Sequence, residues 1–416
     1  MKEVVVIGAG VIGLCTAYYA AQRGFRVTVI DRHGSEHEGC SYGNAGMIVP
    51  SHFVPLAAPG AVALGLKWMF NPESPFWIKP RLEWDLMDWG MKFWRASNAE
   101  QVKRAAPLLR DLHLASRDCF DELAAGCGNE FGLVRRGLLA LCKTQRALDE
   151  EGHVAEKAQR LGVPAEVLNA RDLAKLEPGA RADVVGAIYF PKDCHLTPQR
   201  FMARMKQAAE QAGVKFQWGT NVRGFRRVGN EVRAVTTSSG EIQADEFVLC
   251  AGSWSTGVGR EIGLKLPMQP GKGYTLTLPN PPALPTICSI LVEARVAVTP
   301  MGNSLRVGGT MEMAGLNEEI NSVRVAGITK AMSVYYPEFK HEHFEGLKVW
   351  RGLRPVSPDG LPYLGRTAKY KNLIVATGHA MMGLSLGPIS GKLVAETLSD
   401  EKPSINIELL SPDRYA

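Results

Sequence analysis

Gly8, Gly10 and Gly13 stand on a G-x-G-x-x-G spacing directly after the β-branched run at residues 4–7. In such a strand-turn-helix each glycine has its own task. Gly8 makes the tight turn, Gly10 lets backbone approach a pyrophosphate, and Gly13 lets the helix lie close to the strand. The free amides of the first helical turn, around Val11 and Ile12, would face the phosphates, because a helix N-terminus carries partial positive charge. A second apolar run at residues 27–30 ends at Asp31, placed to accept a ribose hydroxyl, with Arg32 beside it. The glycine spacing alone describes only a strand-to-helix turn, but the ordered series of strand, helix, strand and acid predicts a dinucleotide site.

Three further stretches have the composition of a ligand wall. In Ser41-Tyr42-Gly43-Asn44-Ala45-Gly46, small residues let a flat ring and a pyrophosphate lie close to backbone, while Ser41 and Asn44 offer hydrogen bonds. Ala251, Gly252 and Trp254 follow an apolar run at 247–250, the carboxyl end of a strand, where open α/β sheets bind ligands. Gly378, His379, Met382, Gly383, Leu384 and Ser385 lead into the last apolar-periodic stretch, whose helix N-terminus would favour negative charge on a reduced ring. Between these, Arg351-Gly352-Leu353-Arg354-Pro355 runs into the turn Ser357-Pro358-Asp359-Gly360.

Taken together, these motifs resemble the flavin-dependent amine and amino-acid oxidoreductases, the D-amino-acid oxidase superfamily. The combination SYGNAG, Ala57-Ala58-Pro59-Gly60, Lys272-Gly273-Tyr274, GLRP and SPDGLPYLG is most similar to its bacterial D-amino-acid dehydrogenases. The resemblance spans nearly the whole chain. It implies FAD, hydride transfer from a D-configured Cα to flavin N5, hydrolysis of the imine to a 2-oxo acid and ammonia, and an acceptor other than oxygen, such as a quinone. A dehydrogenase of D-proline or D-hydroxyproline, and an oxidase of glycine or sarcosine type, share these motifs. Relatives with covalent flavin use a cysteine near the ring; none occurs in residues 351–416, so non-covalent FAD is expected. Asp31 stands where a glutamate is more usual.

Site roles carried over by resemblance are few. Arg354 matches the arginine that holds the substrate carboxylate, a task suited to a two-pronged guanidinium. Tyr274 matches a sheet position that can serve as pocket wall or carboxylate partner; ordinary sheet packing is the other reading. Val222 would grip adenine through its backbone, and His379 would act through backbone rather than ring. His52 borders the ring or is simply hydrogen-bonded structure. His341-Glu342-His343 reads as solvated surface, with no third converging ligand for a metal.

These residues need a scaffold, and the pattern of the chain suggests one. With 416 residues, 45% of them hydrophobic, two domains are expected. The fold class is α/β (mixed α+β): a Rossmann-like FAD-binding domain from residues 1–50, 195–265 and 350–416, interleaved with an antiparallel-sheet substrate domain from 51–194 and 266–349. Strands are expected near 135–143, 184–190, 214–218, 231–237, 247–250, 274–278, 287–292, 296–299, 304–307 and 373–376. Helices are expected near 99–125, 148–161, 323–335 and 387–398, and another opens at Thr197 with Pro198 in its first turn.

Residues 62–95 hold five of the eight tryptophans, with Phe70, Phe76 and Phe93, among Lys67, Lys79, Arg81, Lys92 and Arg95. They read as the core of a helical insertion, or as a patch resting on a membrane surface or docking an electron acceptor. The net charge of +6 comes without a dense basic stripe, which excludes a nucleic-acid partner and suits anionic small molecules. Eight scattered cysteines without a CxxC pair fit a reducing compartment, and no apolar run is long enough to span a bilayer. A cytoplasmic protein is expected, with peripheral membrane contact through 62–95 left open.

Overall fold

The computed structural model describes residues 1–416 except His37, Phe70 and Pro72, so Phe70 of the aromatic cluster lies outside the described residues. Its first sheet has the order Tyr363–Arg366, Leu373–Thr377, Glu246–Leu249, Glu3–Ile7, Arg26–Ile30, Lys215–Gln217. All neighbours are parallel except the first pair. Glu3–Ile7 is central, and covered faces explain its unbroken apolar run. Val4 and Val6 join the cluster with the helices Val11–Gln22, Pro198–Gln211 and Gly387–Leu398. Val5 and Ile7 point the other way, onto the antiparallel sheet Val222–Val228, Glu231–Thr237, Gly240–Gln243.

The second large sheet is mostly antiparallel. Its order is Trp350–Val356, Gln269–Pro279, Ser304–Met313, Val296–Met301, Cys288–Leu291, Leu138–Cys142, Gly186–Phe190, Glu166–Asn169. Two pairings in it are parallel: Cys288–Leu291 with Leu138–Cys142, and Phe76–Ile78 with the end of Ser304–Met313. On one face Tyr274, Leu276, Leu278, Leu305 and Val307 pack with Ile328 and Met332 of the helix Ser322–Tyr335. The helices Ala99–Gly126 and Gln145–Arg160 lie near the expected spans, and each is capped by the side chain preceding it, Asn98 or Thr144.

One boundary needs correction. Trp350–Val356, assigned from sequence to the cofactor domain, pairs along its whole length with the strand Gln269–Pro279 of the second sheet. The chain crosses between sheets only after the Ser357–Gly360 turn, because Tyr363–Arg366 returns beside Leu373–Thr377. The tryptophan-rich insertion forms helices Ala61–Met69 and Trp84–Ala96 around the strand Phe76–Ile78. Trp89 is core, donating its indole N–H to the Val356 carbonyl at 2.9 Å and stacking on Phe93, whereas Leu82, Trp84, Met87, Met91 and Trp94 are exposed. Among the described residues, no helix is long and apolar enough to cross a membrane.

Candidate functional site

A cavity of about 1330 Å³ runs from the first glycine turn to the antiparallel sheet, exceeding the ~300–1,000 Å³ of pockets for drug-sized ligands. At one end the chain turns at Gly8, with φ +110°, where a Cβ would lie 2.6 Å from the Cys250 carbonyl oxygen. Only glycine permits that crossing. Gly13 faces the protein interior: a Cβ there would lie 1.8 Å from the Gly8 carbonyl oxygen. The helix Val11–Gln22 has no side-chain cap from Gly10; the Val11 amide donates instead to Ser41 Oγ at 3.1 Å. Asp31 accepts from the Ala9 amide at 2.8 Å and the His33 amide at 2.9 Å, which draws the carboxylate to the mouth of the turn. Arg32 stacks its guanidinium 3.8 Å from the centre of the Trp254 ring.

Gly8, Gly10, Val11, Ile12, Asp31, Arg32, Ser41, Asn44, Ala45, Val222, Ala251, Gly252, Trp254, His379, Met382, Gly383, Leu384, Ser385 and Arg354 all border this one cavity. Gly13, Gly46, Gly378 and Tyr274 are not among the residues lining it. Gly46 and Gly378 hold left-handed turns, φ +79° and +78°, packed against the Leu196 carbonyl and the Tyr363 ring. Tyr274 corrects an expectation: it points to the far face of its sheet, donates to Glu312 at 2.8 Å and accepts from the Asn321 amide at 3.2 Å. Glu312 also pairs with buried Lys272 at 3.3 Å, so this network braces the wall from behind. Thr275, one residue on, is the neighbour that reaches the cavity. The period-2 stripe of Tyr274, Leu276 and Leu278 was the sequence signal for the buried side.

Several structural supports carried no legible motif. Arg306 is buried beneath the SYGNAG loop and donates to the Asn44 carbonyl at 2.9 Å and to Thr277 Oγ1 at 3.1 Å; burial pulls its pKa down to about 10. Thr275 holds the Gly43 carbonyl at 3.2 Å, and a Cβ on Gly43 would fall inside the Trp350 ring. Thr310 has φ +69° where the pairing of Gln269–Pro279 with Ser304–Met313 slips register, and its carbonyl accepts from Arg354 Nη1 at 2.6 Å. That conformation is costly for a β-branched residue.

Arg354 is the chemically distinctive group of the inner end. Its guanidinium lies over Gly273, where a Cβ would fall 2.1 Å from Nη2, and no carboxylate among the described residues pairs with it. Burial draws its pKa down, with the Cys40 thiol opposing. A desolvated cation without a counter-ion is an anion site. The residues therefore fit a dinucleotide at the outer end and a small anion at the inner one.

His379 donates to or accepts from Ser390 Oγ at 2.9 Å, and its other ring nitrogen is buried without a partner among the described residues. Burial lowers the pKa of His52, His113, His195 and His379 to about 4, 3, 4 and 3, whereas it raises that of Asp193 to about 7, against its hydrogen bonds from Ser51. The folded chain thus keeps four imidazoles neutral where the unfolded chain protonates them, and that stability, full at neutral pH, is lost as pH falls below about 6.5. Asp193 acts oppositely, because between about pH 4 and 7 the folded state holds a proton that the unfolded state releases. The net uptake of about two to three protons on unfolding corresponds to roughly 3–4 kcal/mol per pH unit between pH 6 and 4. A urea midpoint that falls steeply from pH 6 to pH 4.5 is the expected result; a constant midpoint would contradict neutral burial of these rings.

Comparison with known proteins bears on the same geometry. The family described as FAD dependent oxidoreductase (DAO) matches residues 3–397. The chain is 33% identical to a D-amino acid dehydrogenase of Bradyrhizobium diazoefficiens, across 100% of this chain and 99% of that protein. It is 32% identical to a D-amino acid dehydrogenase of Granulibacter bethesdensis, across 100% of both. Among solved structures, glycine oxidase from Geobacillus kaustophilus superposes with TM-score 0.79 at 23% identity over 100% of both chains, a likeness of fold. A full-length match of this kind, on a chain whose glycine turn and anion site open into one cavity, places the protein in the FAD-dependent oxidoreductase (DAO) family.

Proposed function

We propose that the protein is an FAD-dependent D-amino-acid dehydrogenase. The observation that carries this reading is Arg354, on the wall of the cavity that begins at the Gly8 turn, a guanidinium with no carboxylate partner among the described residues. The curated relatives named above support the substrate class. Bound FAD supplies a two-electron acceptor for the hydride from the substrate's Cα.

The chain's own residues do the rest. The backbone at the Gly10 turn, with Ser41, would hold the pyrophosphate; Asp31 would hold the ribose; Val222 and the Arg32–Trp254 stack would flank the adenine. The 43–49 loop and residues 379–385 would border the ring, without a covalent link. Arg354 receives the substrate carboxylate in two parallel hydrogen bonds and so fixes Cα in position. The helices Ala61–Met69 and Trp84–Ala96 supply one wall of the cavity. Leu82 and the exposed Trp84, Met87, Met91 and Trp94 of the second helix lie in a stretch that carries Lys67, Lys79 and Arg95 as well as Glu73, Glu83, Asp85 and Asp88, an apolar patch suited to a membrane surface where a quinone acceptor is dissolved.

Purified protein is expected to be yellow and to bleach anaerobically with D-amino acids but not with their L-enantiomers. Reoxidation should be fast with a short-chain quinone, faster on lipid vesicles, and slow with oxygen. No bleaching across a broad D-amino-acid panel rejects the substrate class, and rapid peroxide production in air makes the protein an oxidase instead. Bleaching by D-proline alone selects a dehydrogenase of cyclic imino acids.

A further inference from the structure

The arrangement around Ser51 is not accounted for by cofactor or carboxylate binding. Asp193 is 1% exposed and both of its oxygens face one residue: Oδ1 accepts from the Ser51 amide at 3.0 Å and Oδ2 from Ser51 Oγ at 2.5 Å. The same Oγ lies 3.0 Å from Nδ1 of His52. His52 lines the cavity, whereas Ser51 and Asp193 do not. The chain of groups is held from both ends by the fold, since Met47–Ile48 pairs with Cys194–His195 and so locks residue 193 beside residue 51.

We propose that His52, Ser51 and Asp193 form a proton relay that deprotonates the substrate's ammonium group in the cavity. The inference rests on the amine-oxidising reading above. The ammonium gives a proton to His52 Nε2, the Nδ1 proton passes to Ser51 Oγ, and the Ser51 hydroxyl proton passes to Asp193 Oδ2. One N–H bond of the substrate is broken and one O–H bond on Asp193 is formed, so a cation and an anion become two neutral groups. His52 gains a proton at one nitrogen as it loses one at the other. No imidazolium accumulates, which suits a ring whose burial, together with Arg295, pulls its pKa down to about 4. Asp193, raised by burial to about 7, is the group whose titration matches the task. The neutral amine left behind is the form able to release hydride. In reverse, the relay returns the proton to departing ammonia.

The groups facing the relay do not compete with it. Arg117 lies near Asp193 and favours its ionised form, while the neighbouring thiols of Cys194 and Cys288 are held neutral by burial. Arg295 faces His52 and disfavours a charged ring there, and His52 in turn disfavours a charged His113.

Stopped-flow reduction of the holoenzyme by a D-amino acid tests the relay. Ser51→Ala is expected to slow flavin reduction at pH 7 by roughly 10²-fold, the scale of acid-base assistance. It should also remove the limb near pH 7 from the pH profile. His52→Ala and Asp193→Asn should do the same, the double variant Ser51→Ala/Asp193→Asn should be no slower than either single one, and Ser51→Thr should restore the rate. A second readout needs no turnover: ¹⁵N NMR of the ring should show the proton on Nδ1 above the Asp193 transition and on Nε2 below it, in the wild type and in Ser51→Thr. Wild-type reduction with an unchanged pH profile in Ser51→Ala overturns the relay alone. A wild type that no D-amino acid reduces removes the amine-oxidising reading and the relay with it. If Asp193→Asn does not fold, the comparison of Ser51→Ala with Ser51→Thr still decides.

Discussion

Replacing Arg354 by alanine should lower kcat/KM for D-amino acids by roughly a hundredfold to a thousandfold, the usual loss when one partner of a desolvated ion pair is removed. The variant should keep its flavin, because the hydrogen bond this side chain makes goes to the Thr310 carbonyl in the antiparallel sheet and not to the glycine turn. Its stability is the telling measurement. An arginine in a structural salt bridge leaves an orphaned carboxylate when deleted and costs about 3–5 kcal/mol. Arg354 has no such carboxylate among the described residues and gives up only the Thr310 carbonyl, so Tm should stay level or rise. Arg354→Lys should also fail, since a single ammonium does not reproduce a two-pronged contact. Normal kinetics in Arg354→Ala would remove this residue from the site.

Gly13→Ala should give a colourless and poorly folded protein. The added methyl would stand 1.8 Å from the Gly8 carbonyl oxygen and 3.0 Å from its carbon, so either the glycine turn or the helix must move. Overpacking typically costs ~1–3 kcal/mol, and more where the obstacle is backbone, and the displaced turn is the part that would meet a pyrophosphate. A fair control is Gly152→Ala, in the helix Gln145–Arg160 with open space around it, which should be neutral or gain up to ~1 kcal/mol. Full flavin content in Gly13→Ala would show that the turn tolerates a displacement this geometry forbids.

The contrast between these two residues explains what was legible from sequence. Gly13 is readable because its constraint is local: strand, turn and helix are contiguous, and the spacing encodes the close approach. Arg354 was singled out by its match to a motif of the family that the chain resembles, and the structure places it on the cavity wall. Tyr274 was placed on the correct strand but the wrong face, because a shift of one residue reverses side-chain direction. The Tyr274, Leu276, Leu278 stripe carried the answer. Asp193, Arg306 and Thr310 had no signal at all. Each acts on a partner far along the chain, Asp193 on Ser51 and Arg306 on Asn44, and a left-handed threonine has no signature in composition. The membership of Trp350–Val356 in the second sheet was hidden similarly, since partner choice in a sheet is a long-range decision.

That last strand also carries Leu353, whose carbonyl accepts from Ser253 Oγ at 2.9 Å in the loop after Glu246–Leu249. The floor of the pocket is thereby stitched to the nucleotide end across the seam of the two sheets. Such a joint leaves little freedom to tune the molecule there: a larger or smaller side chain on the incoming molecule has to be accommodated overhead, by the two short helices of the insertion. Exchanging that canopy between relatives should therefore re-target selectivity while leaving the flavin's potential nearly unchanged.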